Sequence, residues 1–396
     1  MLTMIVRDLR LSFAKTVLTA LSMLIGIIAV IAASLIGSIG GDFLAATNAQ
    51  LSGKPATYQL NLAIGDNEIV TARDMLNVAS AMEQVDGYVM APVAVMQDDL
   101  QVISNPQTGD VIANAVADVV FTTAAYNNIY VLPMVSGRWF SQSDAQAGIE
   151  IVVNKPGQNV YGTTGDSIAF SANQTSTITK AFITGVVNDG SSTPKMYINA
   201  VTFSLFEPQL WNPTSMHAIC HPLDSAASTQ QISSLVDDVI RDNINGKVAS
   251  IQRIDNSDSY TDVLQYLQIA FFVCGFLLLF VAALGLINIG LADIEQRSHE
   301  LLIRRALGAS RGNVMILVAG SSIVLSVCIA ALAIAVSVVL VMVIPLFIPA
   351  DAPIPNPSYP YQAAQYALAA SMLTAMLGSI VPAIKAAQLE PAMALR

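Results

Sequence analysis

Four long apolar stretches constrain this chain more than any other feature of its sequence. They predict transmembrane helices over 16–37, 266–292, 314–348 and 361–385, and the only charged residue among them is the terminal Lys385. Each stretch reaches the ~20 residues that a helix needs to cross the hydrocarbon core of a bilayer. Only 12% of all residues are charged, which is far less than soluble domains usually carry. The sequence therefore predicts an integral membrane protein.

The charged residues are unevenly distributed between the segments that these helices separate. The short segments 1–15 and 293–313, together with Lys385 and the tail 386–396, hold nine basic and five acidic residues. The long segment 38–265 holds nine basic and 22 acidic residues. Short loops rich in Lys and Arg stay in the cytoplasm, while large domains are translocated largely regardless of charge. We therefore expect both termini and 293–313 in the cytoplasm and 38–265 outside, as four crossings require.

Two alternatives stay open at the N-terminus. Apolar residues recur at helical spacing within 1–15, opposite Arg7 and Arg10. This pattern indicates a cytoplasmic amphipathic segment along the inner membrane surface, or an inward extension of the first span. A basic start before an apolar run that ends in small residues is also typical of a cleavable signal peptide. We favour a span because the run is long for the apolar part of a signal peptide.

The outer ends of the later helices carry further signals. Potential caps at Asp258, Ser259 and Thr261 predict that the second helix begins before the membrane, so that an outer stalk extends from about 258. The third run is longer than a bilayer requires and therefore tilts, extends beyond the lipid or breaks near Pro345. Five prolines lie within 349–360. Such a density excludes a helix and predicts a tight outer turn.

Residues 38–265 mix helical and strand patterns, which predicts an extracytoplasmic α/β (α+β) domain inserted between transmembrane helices 1 and 2. Thr71 and Asp74 resemble a capping box that opens a helix to about Val85. A second amphipathic helix follows Asp224. The turn-rich piece 137–210 is a possible β-rich subdomain. Strands are predicted where Val and Ile or apolar alternation are enriched: 89–96, 111–120, 149–153, 180–187 and 215–221.

The sequence lacks the motifs of several common catalytic sites. It contains no G-x-x-x-x-G-K-[ST] phosphate-binding loop, no H-E-x-x-H zinc motif and no G-x-S-x-G elbow. One cluster, His217, Cys220 and His221, joins two of the three histidines to the only cysteine of the outer domain. On a strand the imidazoles would face one side and the thiol the other, which leaves fewer ligands than zinc prefers. We predict an ordinary strand end rather than a metal site, and no cofactor.

Asn288 is a polar residue within an otherwise apolar span. A polar side chain at membrane depth is costly unless it is paired, so we expect it to face another helix rather than lipid. A helix–helix hydrogen bond is the preferred interpretation, and a substrate contact is the alternative.

Two segments resemble the signatures of one transporter family. The sequence R-S-H-E-L-L-I-R-R-A-L-G-A-S at 297–310 resembles the R-T-R-E-I-G-I-R-K-A-L-G-A motif of ABC transporter permeases of the MacB/FtsX type. The ending P-A-I-K-A-A-Q-L-E-P-A-M-A-L-R at 382–396 is similar to that family's P-A-x-x-A-A-x-L-x-P-x-x-A-L-R. Gly285 and Asn288 fit its second span, and its order of one span, a large outer domain and three spans matches the order derived above.

The chain departs from the family pattern at four positions. His299 and Leu302 replace the usual Arg and Gly, and Leu317 and Ser321 stand where the family often has Gln and Glu. These departures leave the transported substrate open.

The resemblance implies that 293–313, hereafter the coupling segment, contacts a separate cytoplasmic ATPase subunit. The residues expected to form a charged knob on a short helix between two spans are Arg297, Glu300, Arg304 and Arg305. Gly308 would let the chain turn away before the third span begins. The alternative is that these arginines only enforce membrane topology.

The resemblance further implies a permease subunit in a bacterial plasma membrane, paired with a second copy and two ATPases, and without enzyme activity of its own. ATP hydrolysis would change the conformation of the outer domain and drive export or extraction of a hydrophobic compound, peptide or lipoprotein. An extracytoplasmic adaptor is a possible partner, and no nucleic acid is expected. The alternatives are a mechanical signalling device that regulates a partner such as a cell-wall hydrolase, and a membrane-anchored sensor without an ATPase.

Overall fold

The computed structural model describes residues 13–64, 70–96, 100–103, 111–114, 119–141, 148–172, 179–224, 227–354 and 357–388. Most of the predicted amphipathic segment 1–15 and the C-terminal motif from 389 onward lie outside these residues. The described residues form two compact units. A membrane unit contains 13–42, 261–348 and 357–388, and an outer unit contains 43–260 and 349–354.

Helices and strands are numbered along the chain. The helices are α1 (Phe13–Leu35), α2 (Gly41–Ser52), α3 (Ala72–Glu83), α4 (Tyr126–Ile129), α5 (Gln158–Tyr161), α6 (Ala200–Phe206), α7 (Thr229–Ile244), α8 (Ser257–Ala306), α9 (Arg311–Val343) and α10 (Tyr361–Ala387). The strands are β1 (Tyr58–Ala63), β2 (Tyr88–Met96), β3 (Leu100–Ile103), β4 (Val111–Asn114), β5 (Val119–Thr122), β6 (Met134–Gly137), β7 (Ile149–Asn154), β8 (Ser167–Ala172), β9 (Thr179–Val187), β10 (Met196–Asn199), β11 (Pro213–Pro222) and β12 (Lys247–Arg253).

The membrane unit is built on four helical segments that are long and apolar enough to cross a bilayer. The first contains α1, which a π-helical turn at Ile36–Gly40 connects to α2, and from residue 43 onward α2 belongs to the outer unit. The other three contain α8, α9 and α10. Small residues let these helices approach closely. A Cβ atom added at Gly378 would lie 2.7 Å from the Cβ atom of Leu286, and one added at Gly26 would lie 2.9 Å from Leu279. This packing suits a bilayer, where close backbone contact replaces hydrophobic driving force.

The outer unit contains one mixed sheet of 12 strands within the described residues. Its order is β12-β1-β11-β2-β5-β10-β7-β9-β8-β3-β4, and β6 pairs with β9 off this path. The pairs β5–β10 and β7–β9 are parallel and the other pairs are antiparallel. Residues 137–210 contribute β7 to β10 and the last residue of β6 to this same sheet.

Both faces of the sheet are covered, which explains why several strands are apolar throughout. In β2, Met90 packs in the cluster formed with α3 and α7, whereas Ala91 and Val93 pack in a second cluster with α4 and Tyr130. A strand that is buried on both faces has no need of alternating polar residues. The α/β domain inserted after the first helix is the architecture that the sequence predicts.

Local sequence signals identify several elements correctly. The capping box at Thr71 is confirmed, because its hydroxyl accepts a hydrogen bond from Asp74 N and the Asp74 carboxylate accepts one from Thr71 N. The helix expected after Asp224 is α7, capped in the same way by Ser228. The cap prediction for the second span is wrong in detail, because α8 begins at Ser257, ahead of all three proposed caps.

Candidate functional site

The coupling segment is largely a continuation of the second span. The sequence favours a separate short helix here, but α8 runs without interruption from Ser257 to Ala306, which is 50 residues. At a rise of 1.5 Å per residue, this helix is about 75 Å long. Glu, Arg and Leu are good helix formers, so the charged residues that follow the apolar run continue the helix instead of ending it.

The helix ends where Gly308 was expected to turn the chain. Gly308 has φ of +99°, a conformation that glycine adopts without strain. Its N–H donates to Arg305 O at 3.1 Å, and Ala309 N donates to Arg304 O at 3.1 Å. This pattern is a Schellman motif. The next helix, α9, begins immediately, with Ser310 Oγ accepting a hydrogen bond from Asn313 N.

Glu300 and Arg304 form an exposed ion pair one helical turn apart. Arg304 Nη2 lies 2.7 Å from Glu300 Oε1, and the two side chains are 42% and 53% exposed. Such a surface pair stabilises a helix by only ~0.3–0.5 kcal/mol. The pair therefore contributes little to the stability of α8, and both side chains are accessible to solvent.

Arg305 faces a different part of the chain. Its Nη1 donates to the main-chain oxygen of Ala387 at 3.0 Å, at the C-terminal end of α10. Lys385 Nζ lies 3.3 Å from Glu295 Oε1 and makes a second connection between the same helices. Of the four predicted charged residues, the structure brings Glu300 and Arg304 together and directs Arg305 to α10. The side chain of Arg297 is not among those described.

A small apolar cluster lies beneath these charges. Ile294 and Leu301 from α8 pack with Val314 from α9 and Ala386 from α10, and all four are buried. The C-terminal ends of α8 and α10 are therefore packed together with the N-terminal end of α9.

A second group of polar residues, which sequence reasoning missed, lies where the outer unit leads into α8. This stalk base consists of Asn48, Thr57, Arg253, Asp255 and Ser257. Asp255 Oδ1 accepts hydrogen bonds from Thr57 N at 3.1 Å and Arg253 Nε at 2.8 Å. Asp255 Oδ2 accepts from Arg253 Nη2 at 2.9 Å and from the Ser257 hydroxyl. Asn48 Oδ1, in the last turns of α2, accepts a hydrogen bond from the main-chain N–H of Asn256, the residue after Asp255.

The Asp255 carboxylate is fully covered yet remains ionised. Its side chain is 0% exposed. Burial alone would raise the pKa of Asp255, but the hydrogen bonds from Arg253 and Ser257 outweigh it and lower this pKa to about 2. The paired Arg253 guanidinium has a raised pKa because of the same bonds. The stalk base is thus a charged junction of α2, the residue before β1, the end of β12 and the start of α8.

The remaining candidate residues behave differently from one another. Cys220 is buried in β11, and among the described residues no group of three or more His, Cys, Asp or Glu side chains is placed to hold a metal ion. Burial lowers the pKa of His217.

Asn288 is exposed on α8, so the expectation that it packs against another helix is wrong within a single chain.

The fold and these two sites define a class of protein. It is a four-span membrane protein with a large α/β domain inserted after the first span and a charged segment between the second and third. Residues 16–239, more than half of the chain, match the family model of the MacB-like periplasmic core domain. Residues 272–391 match that of the FtsX-like permease C-terminal domain. The chain therefore belongs to the ABC transporter permeases of the MacB/FtsX type.

Individual relatives are distant. The uncharacterized ABC transporter permease YknZ of Bacillus subtilis (strain 168) is 22% identical over 398 residues, which cover 96% of this chain and 95% of that protein. The periplasmic region of MacB from Actinobacillus actinomycetemcomitans aligns with a TM-score of 0.37 at 10% identity, over 55% of this chain and 94% of that one. The extracellular domain of the noncanonic ABC-type transporter YknZ from Gram-positive bacteria aligns with a TM-score of 0.34 at 15% identity, over 48% and 100%.

Proposed function

We propose that this permease couples ATP hydrolysis by a separate cytoplasmic ATPase to a conformational change of its outer domain. The observation that carries the proposal is the continuity of α8, which joins the stalk base to the coupling segment without a break. A helix transmits displacement along its axis because every turn is hydrogen-bonded to the next. The exposed Glu300–Arg304 pair supplies a surface on which the ATPase would act.

The work done is export or extraction of a hydrophobic compound, peptide or lipoprotein from the outer face of a bacterial plasma membrane. The apolar runs 268–292, 314–348 and 361–384 contain no charged residue. A conduit for polar substrates would require ionisable or polar side chains inside the membrane. Movement of the outer domain, rather than passage through the bilayer, therefore fits these spans better.

A second copy of the chain is part of the proposal. Asn288 is exposed on α8 at membrane depth, and contact with lipid would leave its amide without hydrogen-bond partners. Packing of α8 against the same helix of a second permease would provide them. The active assembly is then two permeases with two ATPases.

The proposal is tested by following the outer domains during turnover. A fluorophore pair attached through Ser192→Cys in two permease copies, in complex with the ATPase, should report a distance change on addition of ATP. An ATPase variant that binds but cannot hydrolyse ATP serves as the control. A distance that stays constant through hydrolysis would refute the coupling function, while mass spectrometry of co-purified compounds would identify the cargo class.

Membrane orientation gives a direct prediction. In a background with the native cysteines replaced by alanine, Ser192→Cys and Ser358→Cys should react with an impermeant thiol reagent in intact cells. Both residues are exposed, and the proposed orientation puts their segments outside the cell. Ser310→Cys, in the coupling segment, should react only after permeabilisation. Labelling of Ser310→Cys in intact cells would reverse the orientation.

The isolated permease should neither bind nor hydrolyse ATP, because its sequence has no phosphate-binding loop. Phosphate release by the purified chain in nanodiscs should equal that of empty nanodiscs, and addition of the ATPase should restore turnover. Hydrolysis by a preparation shown to be free of ATPase subunits would contradict the prediction.

A further inference from the structure

The loop between α9 and α10 contacts the outer unit, although the sequence predicts only a tight outer turn. Residues 349–354 group with the outer unit. Asp351 Oδ2 lies 2.5 Å from Lys155 Nζ and accepts a hydrogen bond from Asn188 Nδ2 at 3.2 Å. Asn188 Nδ2 also donates to the main-chain oxygen of Asp351 at 2.9 Å. The Asp351 side chain is only 16% exposed.

Lys155 and Asn188, which bind Asp351, follow the neighbouring parallel strands β7 and β9. In the β7–β9 pair, Asn154 lies opposite Val187, and Lys155 and Asn188 are the next residues in each chain segment. Parallel strands end at the same edge of a sheet, so their following residues come close together. The parallel pairing of β7 and β9 therefore places Lys155 and Asn188 close enough to bind the same carboxylate.

Hydrogen bonds to residues other than Asp351 also orient Asn188. Its Oδ1 accepts a hydrogen bond from Gly190 N at 3.1 Å, which directs its Nδ2 toward Asp351. Its main-chain oxygen accepts a hydrogen bond at 2.7 Å from Nε2 of Gln50, a buried residue of α2. Asn188 thus connects the loop to the helix that continues α1.

A buried polar network supports the two turns that carry Lys155 and Asn188. Asn154 is 0% exposed, and its Nδ2 donates to Asp189 Oδ1 at 3.1 Å and to Thr193 O at 2.8 Å. Tyr197 donates its hydroxyl proton to Asp189 Oδ2 at 2.9 Å. Because these groups satisfy one another, the turns that carry Lys155 and Asn188 are held in fixed positions.

We propose that Asp351, Lys155 and Asn188 form a tether that attaches the α9–α10 hairpin to the outer domain and transmits its movement by a route separate from α8. A 3₁₀ turn at Ile344–Leu346 follows α9, and Asp351 lies five residues beyond it. Five residues of extended chain span at most ~18 Å, and Pro349 and Pro353 on either side of Asp351 restrict the loop further. A displaced hairpin must therefore pull on this contact. The movement depends on the proposed function, whereas the attachment does not.

Asp351 is the residue on which the tether depends. Lys155 is about half exposed, so the ion pair alone would be weak. The two bonds from Asn188 add direction, since they hold both the side chain and the main chain of Asp351. The Lys155 ammonium, together with Asn188, lowers the pKa of the Asp351 carboxyl, which keeps it ionised near neutral pH.

The test uses the full chain in nanodiscs, alone and with its ATPase. Asp351→Lys and Lys155→Glu each place like charges together, whereas the double variant restores an opposite pair with the charges exchanged. Lys180→Glu, at an exposed lysine near the start of β9, is the matched control. We expect each single reversal to speed hydrogen exchange of the loop, including the Ala352 amide bonded to Pro349 O, and to lower ATP-driven outer movement about fivefold.

The double variant should recover slow exchange and most of the movement, and Lys180→Glu should match the wild type. Unchanged loop exchange in both single reversals would overturn the attachment. Faster exchange with undiminished ATP-driven movement would overturn its transmitting role while leaving the proposed function intact. Absence of ATP-driven movement in the wild type itself would overturn the proposed function, and with it the transmitting role, while the exchange measurement still decides the attachment.

Discussion

Exchanging the charges of the exposed pair, Glu300→Lys with Arg304→Glu, is expected to abolish the coupling of ATP hydrolysis to the outer domain. The swap keeps the net charge and the intrahelical pair, so α8 should form normally. It reverses the charge pattern that the ATPase meets. Removing one member of a desolvated charge pair at an interface costs ~2–5 kcal/mol, which corresponds to at least about a thirtyfold loss of affinity. Copurification of the ATPase and permease-dependent hydrolysis should both be lost.

A matched charge exchange in the outer unit controls for nonspecific effects. Asp238 and Arg241 are exposed on α7 and lie 3.3 Å apart, and Asp238→Arg with Arg241→Asp should leave ATPase binding unchanged. Arg305→Gln provides a second comparison, because it removes the bond to Ala387 and should loosen the end of α10 before it affects docking. Wild-type transport by the Glu300 and Arg304 double variant would mean that the coupling segment only anchors the topology.

Much of the fold could be predicted because its signals are local. Apolar length identified the spans, and β2 was expected at 89–96 and is observed at Tyr88–Met96. β12 was missed, because Lys247–Arg253 is an edge strand with mostly exposed side chains and no apolar alternation. β8, Ser167–Ala172, was also missed, although the large apolar residues Ile168 and Phe170 alternate with small ones, which was a usable signal.

The candidate sites were predictable only where neighbouring residues make the contact. Glu300 and Arg304 are one turn apart, so their pairing could be expected from the sequence. Asp255 binds a residue 198 positions away, and Asp351 one that is 196 positions away. Such contacts depend on strand order, which no local pattern contains. Arg253 two residues before Asp255 was the only local signal of the stalk base.

Replacing Asp255 with alanine should produce the largest loss of stability in the outer unit. Asp255→Ala leaves Thr57 N–H and Arg253 Nε without their acceptor, at a cost of about 3 kcal/mol. For a domain of this size, that loss lowers the unfolding temperature by about 6–12 °C. Trp139 and Trp211, the only tryptophans of the chain, both lie in the outer unit, so their fluorescence reports its unfolding in the full-length protein.

Asp258→Ala is the matched control, because Asp258 also pairs with Arg253, at 2.9 Å, but is 82% exposed. It should change the stability by less than ~1 kcal/mol. Asp255→Asn tests the charge itself. Because the pKa of Asp255 is lowered to about 2, its contribution is present above the unfolded pKa of ~3.9 and disappears as the pH falls toward 2. The advantage of the wild type over Asp255→Asn should shrink across that range, and a pH-independent difference would show that the carboxylate charge does not stabilise the stalk base.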